Sequence, residues 1–428
     1  MKLFIQKQTA FYFPVLYVLQ LIAKNQQFSW EFVDEAAHAD LIWDLQHPNT
    51  QPIANHFYEL LTTNPAQLNH KQVFKVNPII ETPEGKSDLI ATIYYMVNCI
   101  QESADMNDLD KFGRYQFENS YQYRFANTTQ NLVQEYMNQL LSTWKLKVKQ
   151  KQSAFFISHD IDTLYGSKFF DTQWALKRKQ IAVVVKLMCN EILLRPHWKN
   201  IDRVLKIHTE HDMKSTFFWL VNQGRGDSGI KNADYNFHRE SALQEKVKAA
   251  GFTNGLHKSS STMSFDEELA KGQRLQPYNR YHYLRFLPSR DWKKISDSQI
   301  EFDSSLGFAE QFGFRNSYGN AFQPFNLEAK KPYNFVEAPL TFMDGTFEKY
   351  MKYPTDQIAT TIIDFYERNN TNCVLSLLWH NTHFSDYRYG DYWKAYKKII
   401  AYLYEAKIPV LSPDQIIKEN TLSWSVTD

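Results

Sequence analysis

The stretch Phe155-Phe156-Ile157-Ser158-His159-Asp160-Ile161-Asp162 is an apolar run that ends in two carboxylates one residue apart, with a histidine in front of them. A buried carboxylate without a partner is costly. A strand that ends this way therefore points to a metal or a catalytic centre at its C-terminal end. If the chain bends after Ser158, both carboxylates face the same mouth. One can then hold a divalent cation while the other takes a proton from water. The plain alternative is an aspartate that caps the following turn.

Further residues capable of chemistry follow later apolar runs. His257 ends Thr253–His257 and opens a serine-rich loop, Ser259-Ser260-Ser261. His282 lies in Tyr281–Phe286, where strand alternation groups it with Leu284 and sets Tyr281, Tyr283 and Arg285 on the other face. It is a core histidine or a metal ligand. His380 ends Leu377-Leu378-Trp379, where a neutral imidazole beside a metal could act as general acid. His383, three residues on, is expected at the surface. Asp303 follows a strand-like run and Arg315 sits in a glycine-rich loop; the two are substrate-orienting groups or an ordinary buried ion pair. Trp219 and Trp379 are candidates to stack a ligand ring, or simply core.

These residues need elements to position them. From Ser153 on, strand-like runs alternate with helical patterns. The runs are Ala154–Ser158, Ser215–Val221, Thr253–His257, Tyr281–Phe286, Gln299–Phe302, Asn334–Thr341, Cys373–Trp379 and Pro409–Leu411. Helical periodicity marks Ile201–Met213, Thr355–Arg368 and Trp393–Glu405, a capping box opens at Ser264, and Ser412-Pro413 starts the last helix. Such alternation predicts an α/β fold with a parallel sheet closed into a barrel, its active site at the C-terminal strand ends. The first 148 residues predict a smaller α/β domain: a strand at Leu3–Ile5 and helices over Val15–Lys24, Asp88–Gln101 and Asn131–Trp144. The domain boundary is placed in the basic run Lys145–Lys151, giving 1–148 and 149–428. An insertion, Lys168 to Trp198, combines Lys177-Arg178-Lys179 with Ile181-Ala182-Val183-Val184-Val185. It is expected as a helical lid or packing element, or as an amphipathic helix that touches a membrane surface.

Bulk properties narrow the classes. Lys+Arg 48 against Asp+Glu 47 gives no global attraction to nucleic acid. Three widely spaced cysteines argue against a disulfide framework. No run of about 18 apolar residues predicts a transmembrane helix. The polar breaks at Gln6–Gln8 and Pro14 argue against a signal peptide, so a cytoplasmic location is expected.

From about residue 153 to 415 the chain resembles the polysaccharide deacetylase family, the NodB-homology, carbohydrate esterase 4-like fold. Asp160 and Asp162 are similar to the catalytic-base and metal-binding aspartates of its first motif. His257 is similar to the first histidine of its second motif, and His380 to the general-acid histidine of its last. The runs Asp303-Ser304-Ser305-Leu306 and Gly313-Phe314-Arg315, together with residues 1–148, resemble branches that carry an extra N-terminal domain. The resemblance implies a distorted barrel of seven strands, a (β/α)7-type barrel, that removes acyl groups from sugars with one divalent metal, Zn²⁺ by expectation. The chain departs from the family where Lys258-Ser259-Ser260-Ser261 replaces the second metal histidine and Tyr281–Arg285 replaces the arginine-proline-tyrosine motif. With His282 as the substitute, the implied ligands are Asp162, His257 and His282. Asp160 and His380 are then catalytic, with Arg285, Asp303, Arg315 and Trp379 at the substrate. The expected partner is an acylated sugar or glycan. Two rival readings stand beside it: a non-catalytic glycan- or partner-binding protein on this scaffold, and an Asp-x-Asp glycosyltransferase.

Overall fold

The structure, a computed structural model, describes residues 1–104, 109–193, 196–226 and 229–424. Its largest sheet has eight parallel strands. Their spatial order is Val336–Glu337, Phe302–Asp303, Gln276–Tyr281, Thr253–Lys258, Thr216–Trp219, Ala154–Ile161, Val374–Leu378 and Leu340–Met343. The two edge strands are only two residues apart in the chain, separated by Ala338 and Pro339. A sheet whose opposite edges lie that close in sequence must curl almost into a ring. The fold is thus a mixed α/β distorted barrel, preceded by a smaller α/β unit. Proline has no N–H for a ladder, which is why the apolar stretch 334–343 splits at Pro339 into two short strands instead of one.

Other strand expectations shift too, Gln299–Phe302 contracting to Phe302–Asp303. Ala154–Ile161 runs three residues beyond Ser158, so no bend is needed: pleat alternation alone puts Ser158, Asp160 and Asp162 on one face and His159 and Ile161 on the other. The strand expected at Tyr281–Phe286 ends where it was expected to begin. Gln276–Tyr281 is the strand, and His282–Leu284 is a single helical turn in which Tyr283 and Leu284 take left-handed φ values of 58° and 52°. Aromatic alternation there mimics a pleat that the backbone does not have. Pro409–Leu411 contributes one parallel bridge, Phe155 to Val410, and no full strand.

The helices follow their sequence signals. Ser264 and Ser412 both form capping boxes, with Glu267 and Gln415. In the N-terminal unit, helices Tyr12–Gln26, Leu89–Val97 and Leu132–Thr143 pack beside a three-stranded parallel sheet. One apolar cluster continues from this unit into the barrel. Polar contacts cross the same junction. Arg315 forms a two-pronged pair with Glu102 at 2.9 and 2.6 Å, both side chains buried, and Tyr17 donates to the Gln323 carbonyl. The insertion after the first barrel strand forms two helices, Lys168–Lys177 and Ile181–Ile192; Leu194 and Arg195 lie outside the described residues. No helix among the described residues is long and apolar enough to cross a membrane.

Candidate metal centre and its pocket

Asp162, His257 and His282 bring one carboxylate oxygen and two ring nitrogens within 4.8 Å of one another at the C-terminal mouth of the barrel. Each comes from a different strand end. Asp162 follows Ala154–Ile161, His257 sits in Thr253–Lys258, and His282 opens the turn after Gln276–Tyr281. His257 Nε2 is 3.3 Å from Asp162 Oδ1 and 3.6 Å from Asp160 Oδ2, while His282 Nε2 is 3.7 Å from Asp162 Oδ2. Burial would raise the carboxyl pKa of Asp162, yet the facing imidazoles of His282, His257 and His380 hold it well below the usual range. Burial depresses His282, with Asp162 opposing; His257 is desolvated too, but the charges of Asp160 and Asp162 raise it.

The donor set fits a divalent cation. His257 Nδ1 lies 2.8 Å from the Arg280 carbonyl, so it carries the proton and leaves the Nε2 lone pair facing the carboxylates, the tautomer a ligand needs. His257 Nε2, Asp162 Oδ1 and Asp160 Oδ1 are buried and lack hydrogen-bond partners. Buried polar atoms are rarely left so. Asp162 Oδ1 and His257 Nε2, 3.3 Å apart, are atoms that a cation would satisfy, whereas Asp160 Oδ1 lies beside Arg280 Nε.

His282 faces the cluster because of the strained turn behind it. Left-handed φ costs a non-glycine residue about 1–2 kcal/mol, so two in succession need external support. The N-terminal unit supplies it. Arg114 Nη1 donates to the Tyr283 carbonyl at 3.1 Å, the guanidinium being fixed by Asp110 at 2.6 and 2.9 Å. Phe112 stacks on the Tyr283 ring at 5.3 Å with an 11° interplanar angle.

Asp160 and His380 flank the cluster. Asp160 is buried, with Oδ1 3.7 Å from Arg280 Nε. Arg280 reaches it from the strand Gln276–Tyr281 and is wholly buried, also donating to the hydroxyls of Ser158 and Ser304. His380 Nε2 lies 3.6 Å from Asp162 Oδ2, and its Nδ1 is 2.6 Å from Asp344 Oδ1. Asp344 also accepts from the His380 backbone N–H at 2.7 Å and faces His383 Nδ1 at 2.9 Å. Burial opposes a charge on His380, but the Asp344 carboxylate outweighs it and pushes the imidazole up to about 9. Asp344 itself is held far below the carboxylate range by the two histidines, against its burial.

The mouth opens into a pocket of about 660 Å³ lined by both units. The barrel contributes Asp160, Asp162, His282, Tyr283, Tyr350 and His380, and the N-terminal unit Asp110 to Arg114. Tyr283 and Tyr350 line it and are each partly exposed.

The remaining expected site residues lie elsewhere. Trp379 and Trp219 are fully buried, because pleat alternation turns them to the helix layer, and offer no face to a sugar. Asp303 is buried beneath Arg280, held by Asn279 and Ser305 beside Glu337; its removal from water pushes it up to about 6. Arg315 belongs to the Glu102 pair described above. Arg285 donates to the Phe112 carbonyl at 2.9 Å and faces a neighbouring cleft rather than the metal cluster. The serines of the 259–261 loop are not spare ligands either, since Ser259 and Ser261 both donate to Glu268. His383 is buried rather than at the surface, stacked on Tyr389 at 4.2 Å. His159 points away from the mouth, its Nδ1 on the Trp379 carbonyl, and burial keeps it neutral. Sequence reasoning missed Asp344, Arg280 as the partner of Asp160, and the wall built by Asp110–Arg114.

Residues 15–149 match a family of unknown function (DUF7033). No curated protein matches the chain. Among solved structures, a Mycobacterium smegmatis protein assigned as a polysaccharide deacetylase is 14% identical, with a TM-score of 0.40, over 65% of this chain and 96% of that one. Puue allantoinase is 12% identical with a TM-score of 0.41, over 62% and 89% of the two chains. A Pseudomonas aeruginosa PAO1 protein assigned as a polysaccharide deacetylase is 12% identical with a TM-score of 0.40, over 62% and 90%.

Proposed function

We propose that this protein is a metal-dependent hydrolase that removes an acyl group, N-acetyl by the motif resemblance, from a sugar or glycan precursor. The observation that carries the reading is the cluster of Asp162, His257 and His282, with the unpartnered buried atoms Asp162 Oδ1 and His257 Nε2, flanked by Asp160 and His380. Asp162, His257 and His282 would hold the ion, and Zn²⁺ suits two imidazoles and one carboxylate, leaving a coordination position open. A bound Zn²⁺ supplies Lewis acidity toward an acyl carbonyl and toward water.

The other steps belong to the chain. Asp160, with the buried Arg280 guanidinium 3.7 Å away, takes the proton from the attacking water. His380 stays protonated at neutral pH, its Nδ1 fixed by Asp344, and its Nε2 faces the cluster. It delivers a proton to the departing amine or alcohol. The half-exposed rings of Tyr283 and Tyr350 support a sugar as the group in the pocket.

The test pairs two measurements. Metal content by elemental mass spectrometry is expected near one equivalent for wild type and to fall sharply for His282→Ala. Acetate release from a panel of N-acetylated sugars and oligosaccharides is expected for zinc-loaded wild type, with a loss of about 10²–10⁴-fold for Asp160→Asn. Absence of metal after zinc loading sinks the reading in favour of a binding protein on this scaffold. Hydrolysis of a nucleotide sugar without acyl release would favour the transferase.

A further inference from the structure

The helical hairpin inserted after the first barrel strand has two apolar faces. Val183, Val184 and Leu187 of its second helix pack on Trp174, Trp198 and Tyr387, which fixes the hairpin to the body. Among the described residues the other face covers nothing. Ile181, Val185, Met188 and Ile192 recur at helical spacing, and with Phe169 and Phe170 of the first helix each is between 54% and 79% exposed. Large apolar side chains grouped this way on a soluble surface mark an interaction site.

Charge identifies the partner. Lys177, Arg178 and Lys179 fill the turn between the helices, Lys186 lies on the second helix, and all four are exposed. Arg388 adds a fifth cation: it and Arg178 lie over the Trp174 ring at 4.7 and 4.1 Å. Among the described residues Lys177 and Lys179 make no ion pair. The whole chain has a net charge of only +1, so this concentration is local. A second copy docked here across a two-fold axis would set the cations against their own images, which is repulsive. An exposed apolar face with lysine and arginine at its adjoining turn and on the same helix instead matches the boundary between acyl chains and anionic headgroups.

We propose that this hairpin docks the protein onto an anionic lipid bilayer. The hairpin is also tied to the loop that carries His380. Tyr387 Oη donates to the Asp171 carbonyl at 2.5 Å, and Asn381 Nδ2 to the Trp198 carbonyl at 2.9 Å. Docking therefore brings the pocket mouth to the membrane, and on the hydrolase reading above the acylated sugar is one presented at a bilayer surface.

The experiment is co-sedimentation of the full chain with vesicles of equal parts phosphatidylglycerol and phosphatidylcholine, against phosphatidylcholine alone. Binding is expected to the anionic vesicles, at least about tenfold weaker to the neutral ones, and weakened by salt. A dye on Cys189, the exposed cysteine of the second helix, should shift to the blue on binding. The combined variant Ile181→Gln, Val185→Gln, Met188→Gln, Ile192→Gln changes only exposed positions. It should keep the wild-type Tm and zinc content and lose about tenfold or more in vesicle binding. Lys177→Glu with Lys179→Glu should abolish the preference for phosphatidylglycerol. No binding by wild type overturns the proposal. So does a dimer in analytical ultracentrifugation that the glutamine variant dissolves. Neither result touches acetate release from soluble sugars, so the two readings fail separately.

Discussion

The barrel mouth holds two groups of the same composition, one aspartate and two histidines, and they are built differently. In the group around Asp344, the carboxylate meets His380 and His383 at 2.6 and 2.9 Å, hydrogen-bond distances. In the group around Asp162, the contacts to His257 and His282 are 3.3 and 3.7 Å, and buried atoms there stay unpartnered. In the first group the carboxylate is satisfied by its own two histidines, although His383 Nε2 is left unpartnered. The second is held apart by its frame: a backbone carbonyl fixes His257, and a clamped turn fixes His282. On the proposed reading, the spacing set by the scaffold, and not composition, separates a proton-handling group from a cation site.

The sharpest way to break this comparison is to remove a member of each group and measure zinc. Asp162→Ala or His257→Ala should lower zinc affinity by about a hundredfold or more, beyond the usual cost of an outer-shell change. His380→Ala should keep about one equivalent of zinc and lose acetate release by about 10²–10⁴-fold. Zinc lost equally from both variants would erase the distinction.

Next in size is the pH dependence of the closed group. His380 is raised from 6.5 to about 9 in the folded chain, so its protonation contributes stability that is complete below about pH 6.5 and disappears as pH rises through about 9. In metal-free protein, Asp344→Asn should therefore lie below wild type by at most roughly 3 kcal/mol near pH 6, with the gap closing above pH 9. Urea titrations at several pH values measure it, and a gap that widens with pH would contradict the assignment.

Arg114→Gln sharpens the comparison from outside the barrel. With the Tyr283 carbonyl released, the turn under His282 loosens, and zinc affinity should drop about tenfold while the fold persists. The smallest effect is expected for His383→Gln: about 1 kcal/mol of stability and no change in zinc content.

Much of this mouth was legible in the sequence. Asp160, Asp162, His257 and His380 each end an apolar run, and a parallel barrel collects strand ends at one face. What was hidden had physical reasons. Asp344 lies three residues past Thr341, where the expected strand stopped, while the strand itself continues to Met343. His282 was expected in a pleat, because two left-handed residues leave no mark in a Tyr-x-Tyr pattern. His383 sits in a polar loop and looks exposed until the Tyr389 ring covers it. The Arg114 clamp joins positions 169 residues apart, beyond any local pattern. In the N-terminal unit, the helices expected over Val15–Lys24 and Asn131–Trp144 emerged nearly as drawn, since amphipathic periodicity is a local property.

The Arg315–Glu102 pair has a practical consequence for anyone wishing to produce the barrel alone. A gene fragment that starts after residue 148 would encode the guanidinium and delete its carboxylate. That removes the counter-ion of a guanidinium that is 1% exposed in the whole chain, and breaking such a pair costs about 3–5 kcal/mol. The same cut would bare the apolar surface that the N-terminal unit covers. Such a fragment should accumulate as inclusion bodies, and co-expression of residues 1–148 as a separate polypeptide should return it to the supernatant.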